Sequence, residues 1–246
     1  MIEQTVEIPA REGSVTTFIV HPERDGPHPV VLLFMDGPGV REELRDMARR
    51  LASVGYYAML PNLYRRQGVL ELADLPQASA AEARRRAQGL VGGLTTAEVL
   101  DDADRLLAFA DQDAAASPGR AGCVGYCMSG SFAVNFAARH PERIGAAASI
   151  CGSTLVSDRD DSPHLALRRA RCEFYFGCAG HDDWTPIEMV ETLEMAAKAH
   201  RPASEVELFP DAHHGFCFQS RPVYDRASAE RHWERLFSLF RRRLKG

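Results

Sequence analysis

Apolar positions along the chain follow two periods that alternate. Residues 3–8 and 14–20 alternate apolar and polar around Arg11-Glu12-Gly13 and predict an antiparallel hairpin. Residues 29–35 form a continuous apolar run, as in a parallel strand buried on both faces. Helical spacing takes over at 42–54, with Leu44, Met47, Ala48 and Leu51 on one side; Gly55 ends it and 56–60 returns as a strand. An Ala/Arg-rich segment at 75–89 predicts a helix broken by Gly92-Gly93, and 95–111 predicts another with Val99, Leu100, Ala103, Leu106 and Leu107 inward. The pattern continues as strand 122–126, helix 128–139, strands 144–151 and 171–176, helix 186–199, strand 204–209 and a last helix over 225–244 with Trp233, Leu236, Phe237 and Phe240 inward. Residues 153–162 are a polar excursion. This alternation implies an α/β fold with a mostly parallel sheet of about seven to eight strands, helices on both faces and a mixed antiparallel edge. No repeat or linker interrupts it, so a single α/β domain is expected over residues 1–246.

Composition narrows the classes of function. A formal net charge of -5 argues against a general nucleic-acid binder. The basic runs Arg84-Arg85-Arg86 and Arg241-Arg242-Arg243 read as solvated helix faces. No apolar stretch approaches the roughly 20 residues of a membrane span, and residues 1–4 do not begin a signal peptide. The expected setting is the cytoplasm, with reduced thiols at Cys123, Cys127, Cys151, Cys172, Cys178 and Cys217.

The chemistry concentrates around Cys127. The strand ending at Tyr126 and the helix after Met128 leave Cys127 on a tight strand-to-helix turn, with Gly125 two residues before it and Ser129 and Gly130 after it. That is a nucleophile-elbow pattern with Cys in place of Ser. Small neighbours permit the strained backbone, the side chain points away from the sheet, and the helix N-terminus beneath it favours a thiolate. A nucleophile also needs a base and a group to orient that base. Asp182 and Asp183 follow one predicted strand, and His213 and His214 follow the last one. In an open parallel sheet such strand ends share the edge where ligands bind, and the order nucleophile, acid, His is that of α/β-hydrolases.

Over nearly its whole length the chain resembles the dienelactone hydrolase family, Cys-nucleophile members of the α/β-hydrolase fold. The matching pieces are Pro29–Met35, Gly55-Tyr56-Tyr57-Ala58, Pro61-Asn62-Leu63-Tyr64, Gly125-Tyr126-Cys127-Met128-Ser129-Gly130, Gly177 with Asp182 and Pro186, His214-Gly215-Phe216, and Arg221-Pro222 with Tyr224-Asp225. The resemblance implies a triad of Cys127, Asp182 and His214. The Asp stands four residues before Pro186, which favours Asp182 over Asp183, and the His directly precedes Gly-Phe, which favours His214 over His213. The backbone N–H groups of Met128 and Gly37 are the expected oxyanion donors. Tyr64, Trp184 and Phe218 are candidate pocket walls. Asp36 stands where the family usually has a Glu near the nucleophile, Ser129 where it usually has a Gly, and Phe218 where some members carry a substrate-binding Arg.

A thiolate leaves more readily than an ordinary alkoxide or amide nitrogen. A tetrahedral intermediate on Cys127 therefore goes forward only when the substrate's own leaving group is good. Enol-lactones, enol or aryl esters and thioesters fit; peptides fit poorly. The expectation is a hydrolase of carboxylic esters or lactones acting through a thioester acyl-enzyme, on small molecules, without metal or cofactor, as a monomer or small homo-oligomer. A thioesterase or aryl-esterase with another substrate is the alternative. A metal or redox protein built on Cys123, Cys127, His213 and His214 lacks any C-x-x-C pair, and a non-catalytic binding protein of this fold would be expected to lose a triad member.

Overall fold

The continuous apolar run forms strand β3 (Val30–Phe34), buried at every residue. In the computed structural model, which describes residues 1–71, 80–202 and 204–245, it belongs to the first of two compact units, Met1–Pro118 and Gly119–Gly246.

In the first unit, β1 (Ile2–Pro9) and β2 (Ser14–His21) form the expected hairpin, antiparallel from Ile2 opposite His21 to Pro9 opposite Ser14. Strand β2 pairs antiparallel with β4 (Tyr57–Pro61), which pairs parallel with β3. Helix α1 (Glu42–Ser53) buries Leu44, Met47, Ala48, Leu51 and Ala52; a buried Leu or Met contributes about 1.5–3 kcal/mol. Helix α2 (Ala80–Gly92) covers the later part of the predicted 75–89 segment and extends to Gly92; residues 75–79 lie outside the described residues. Helix α3 (Thr96–Ala110) starts where the Thr95 hydroxyl accepts from the Glu98 N–H, a side-chain cap of the usual kind. Its buried Asp102 is held by both Arg65 and Arg66, each through two nitrogens at 2.7–2.9 Å.

In the second unit, β5 (Ala121–Tyr126), β6 (Ile144–Ile150), β7 (Glu173–His181) and β8 (Glu205–His213) pair parallel in sequence order. Strands β5 and β6 are buried throughout, as expected of parallel strands. Helix α4 (Gly130–Arg139) buries Phe132, Ala133 and Phe136. The polar excursion leads into a helix absent from the sequence expectation, the four-residue α5 (Pro163–Ala166), too short to show periodicity. Helices α6 (Ile187–Ala199) and α7 (Arg226–Leu244) complete the unit. In α7, Trp233, Leu236 and Phe240 are buried and Asp225 caps the first turn by accepting from the Ser228 N–H at 2.7 Å.

Strands β7 and β8 run longer than predicted, to His181 and His213 rather than 176 and 209. The pairing shifts between Ala179 and His181. A Cβ at Gly180 would run into the Pro210 carbonyl, and Pro210 has no N–H to give the ladder. Residues that read as strand breakers thus form a bulge, after which His181 pairs with His213. The next residues are Asp182 and His214.

Candidate active site

Strand β5 ends at Tyr126, and Cys127 opens a single 3-10 turn (Cys127–Ser129) that leads into α4. The φ of Cys127 is +54°, a left-handed conformation that costs a residue with a Cβ roughly 1–2 kcal/mol. Close packing holds the turn. A Cβ at Gly125 would meet the Ser129 carbonyl, and one at Gly130 would meet Ser149 Oγ. Ser129 is accommodated because it bonds the turn itself: its Oγ accepts from the Tyr126 N–H at 2.9 Å and donates to the Tyr126 carbonyl at 3.1 Å. The Ser153 N–H donates to the Cys127 carbonyl at 3.0 Å. Cys127 is half-buried, whereas the other five cysteines are buried.

Past the bulge, the structure brings three predicted residues together. His214 Nδ1 lies 2.7 Å from Asp182 Oδ2, and His214 Nε2 lies 3.1 Å from Cys127 Sγ. The Asp182 side chain is 1% exposed, and its second oxygen accepts from the Trp184 N–H at 2.9 Å. Both carboxylate oxygens are therefore fixed, which sets the His214 ring plane. Asp183 is exposed. His213 is also exposed and stacks on His181 with centroids 4.8 Å apart. Of the two adjacent pairs, Asp182 and His214 are the members that meet each other, and His214 is the one that meets Cys127.

Burial disfavours a charged His214, but the hydrogen bonds to Asp182 and Cys127 outweigh it and raise its pKa to about 10 from 6.5. The sign for stability follows from the raised value. The contribution is fully present below the unfolded value of 6.5 and is lost as pH rises through about 10. Urea midpoints of wild type and His214→Gln should therefore differ most below pH 6.5 and converge toward pH 10. A gap that widens with pH would contradict the assigned direction.

The other candidates lie as follows. Met128, directly after Cys127, is buried. Trp184 is 54% exposed beside the Asp182 loop. Phe218 is buried; its ring centroid is 5.7 Å from that of Tyr126, and the Arg221 guanidinium lies over the Phe218 ring, 4.5 Å from its centroid, as a cation–π contact. Arg221 also borders the histidine loop, since a Cβ at Gly215 would run into its guanidinium. In the first unit, buried Asp36 is paired with Arg41, and the Tyr64 hydroxyl donates to the Gly37 carbonyl at 2.6 Å. Cys123 donates to the Ala133 carbonyl at 3.4 Å. Among the described residues no cluster of three or more His, Cys, Asp or Glu is arranged to hold a metal, and no helix is long and apolar enough to cross a membrane.

Sequence reasoning gave no special place to Cys151. It is buried, has a φ of +47° and interacts with His214. The predicted strand over 144–151 takes in Cys151, whereas β6 ends at Ile150 and leaves Cys151 directly after it, as Cys127 directly follows β5.

Parallel strands that end in a cysteine-bearing turn, followed in chain order by an aspartate and a histidine that meet it, define an α/β-hydrolase. The match to known proteins is narrower than the fold. Residues 15–244 fit the Dienelactone hydrolase family, and the chain belongs to it. Two similar proteins carry the name "Putative carboxymethylenebutenolidase". That of Escherichia coli K12 is 31% identical over 241 residues, 95% of this chain and 84% of the relative. That of Methylorubrum extorquens is 29% identical over 245 residues, 98% of this chain and 81% of the relative. Among solved structures, a "Putative Dienelactone Hydrolase" from Klebsiella pneumoniae superposes with a TM-score of 0.86 at 27% identity, covering 97% of this chain and 98% of its own. The protein is a hydrolase of lactones or carboxylic esters.

Proposed function

We propose that the protein hydrolyses activated esters or enol-lactones through a Cys127–His214–Asp182 triad and a thioester acyl-enzyme. The observation that carries this reading is the single imidazole within hydrogen-bond reach of both a fixed carboxylate and a half-buried thiol on a strained turn. Asp182 accepts the Nδ1–H and holds one tautomer. The Cys127 thiolate adds to the substrate carbonyl, and the Met128 N–H donates to the oxyanion, as the residue after the nucleophile does at such an elbow. Collapse of the intermediate breaks the bond to the leaving oxygen or sulfur, which takes its proton from His214. Neutral His214 then removes a proton from water, hydroxide adds to the thioester, and the carboxylic acid departs as the Cys127 thiolate returns. Each step moves the proton through the same Nε2 atom.

Within this reading, one feature favours neutral substrates. Phe218 fills the position where some relatives place a carboxylate-binding Arg, and it is buried. Arg65 and Arg66 are both engaged by Asp102. Neutral aryl esters, enol-lactones or thioesters should therefore be turned over at least as well as matched substrates bearing a free carboxylate. The check is kcat/KM on matched pairs. A strong preference for the anionic member, lost in Arg221→Gln or on neutralising Arg84–Arg86, would return a dienelactone-type acid as the favoured substrate.

A further inference from the structure

Two cysteines directly follow the ends of neighbouring parallel strands, and a third lies in the same row inside the next strand. Tyr126 is opposite Ile150, and Ile150 is opposite Gly177; Cys127 and Cys151 are the first residues past β5 and β6, and Cys178 is the next residue within β7. Neighbouring strands lie about 4.7–4.9 Å apart, inside the roughly 4.4–6.8 Å between Cα atoms that a disulfide accepts. Cys127 and Cys151 also share an unusual backbone, with φ of +54° and +47°. They stay coupled beyond the last strand pair, because the Ser153 N–H donates to the Cys127 carbonyl at 3.0 Å. Both thiols interact with His214. Cys178 differs, since burial pushes its pKa up to about 12.

We propose that Cys151 is a resolving thiol for Cys127: when a hydroperoxide oxidises the active-site thiolate, the two cysteines close a reversible disulfide that switches the enzyme off and protects it. The mechanism above gives Cys151 no role. Its surroundings nonetheless suit attack on sulfur. Burial works against its thiolate, but a hydrogen bond from the Cys217 thiol, the nearby His214 cation and the Gly215 N–H together lower its pKa below the ordinary thiol value. Access sets the order of events, because Cys127 is half-buried and Cys151 is 1% exposed. The hydroperoxide oxidises Cys127 to the sulfenic acid and is itself reduced to an alcohol or water. The Cys151 thiolate then attacks the Cys127 sulfur; the S–S bond forms, the S–O bond breaks, and hydroxide leaves with a proton as water. Two equivalents of an external thiol reverse the oxidation.

The inference rests on Cys127 being the reactive thiol, which ester turnover by unoxidised Cys127→Ala tests separately. The experiment treats the full chain with hydrogen peroxide, blocks free thiols and maps linked peptides by mass spectrometry. The expected result is a Cys127–Cys151 link that forms as activity falls and disappears as dithiothreitol restores it. Cys151→Ser should retain activity before oxidation. After the same treatment it should regain at least roughly tenfold less activity with dithiothreitol than wild type, with Cys127 found as the sulfinic or sulfonic acid. Cys151→Ala serves if the serine variant does not fold, and the wild-type map decides without either. Cys127 over-oxidised in wild type with Cys151 still free would overturn the proposal. So would a Cys151–Cys217 link with Cys127 left out of it.

Discussion

Cys127→Ala should lower kcat/KM for an aryl ester by roughly 10⁴-fold or more, the scale seen when a triad nucleophile is removed, while unfolding stays cooperative. The reason lies in the turn. The Cys127 side chain is half-buried at the end of β5 and meets His214, whereas the core of the second unit is built from neighbours such as Val124, Phe136 and Ile150. Deleting one sulfur there leaves the packing intact. The backbone adds an independent expectation. At a φ of +54° glycine escapes the Cβ clash, so Cys127→Gly should be as inactive as the alanine variant yet more stable than wild type by about 1 kcal/mol. Activity and stability would then move in opposite directions at one position, as expected where strain is kept for function. Retention of more than a few per cent of turnover in Cys127→Ala would remove the nucleophile assignment, and loss of cooperative unfolding would make Cys127 a structural residue.

Asp182→Asn should cost about 10⁴-fold in kcat, because an amide in place of the carboxylate favours the wrong histidine tautomer. Asp183→Asn should stay within about threefold, since exposed substitutions away from special features shift free energies by roughly 0.5 kcal/mol. The contrast is sharp because the residues are adjacent and the same substitution removes one carboxylate charge at each. Only Asp182 is buried, bonded to His214 Nδ1 and held by the Trp184 N–H. Steady-state kinetics on the two purified variants decide the matter; an inverted ranking would mean that the carboxylate facing His214 in solution is Asp183.

Much of this arrangement is legible in the residues themselves. The run over 29–35 reads as a buried parallel strand because both its faces must be apolar, and β3 lies there. The elbow is legible because a left-handed cysteine needs small neighbours, and Gly125 and Gly130 are where they must be. What escapes is what depends on register. Gly180 and Pro210 look like strand ends taken singly; opposite each other they form a bulge that lets both strands continue to the histidines. Cys151 reads as one more buried thiol until the pairing of Tyr126 with Ile150 shows that Cys127 and Cys151 leave neighbouring strands at the same level. The ion pair between Asp36 and Arg41 likewise follows from the path of a loop, which residue spacing does not specify.

The acyl-enzyme itself offers the most direct test. Wild-type protein mixed with an activated aryl ester, quenched in acid within the first turnover and digested should yield one acylated peptide, carrying a thioester at Cys127. Hydroxylamine should release the acyl group, and His214→Gln protein should not accumulate the adduct at the wild-type rate. Acyl transfer to any other residue, or full turnover with no covalent adduct under the same quench, would contradict nucleophilic catalysis by Cys127.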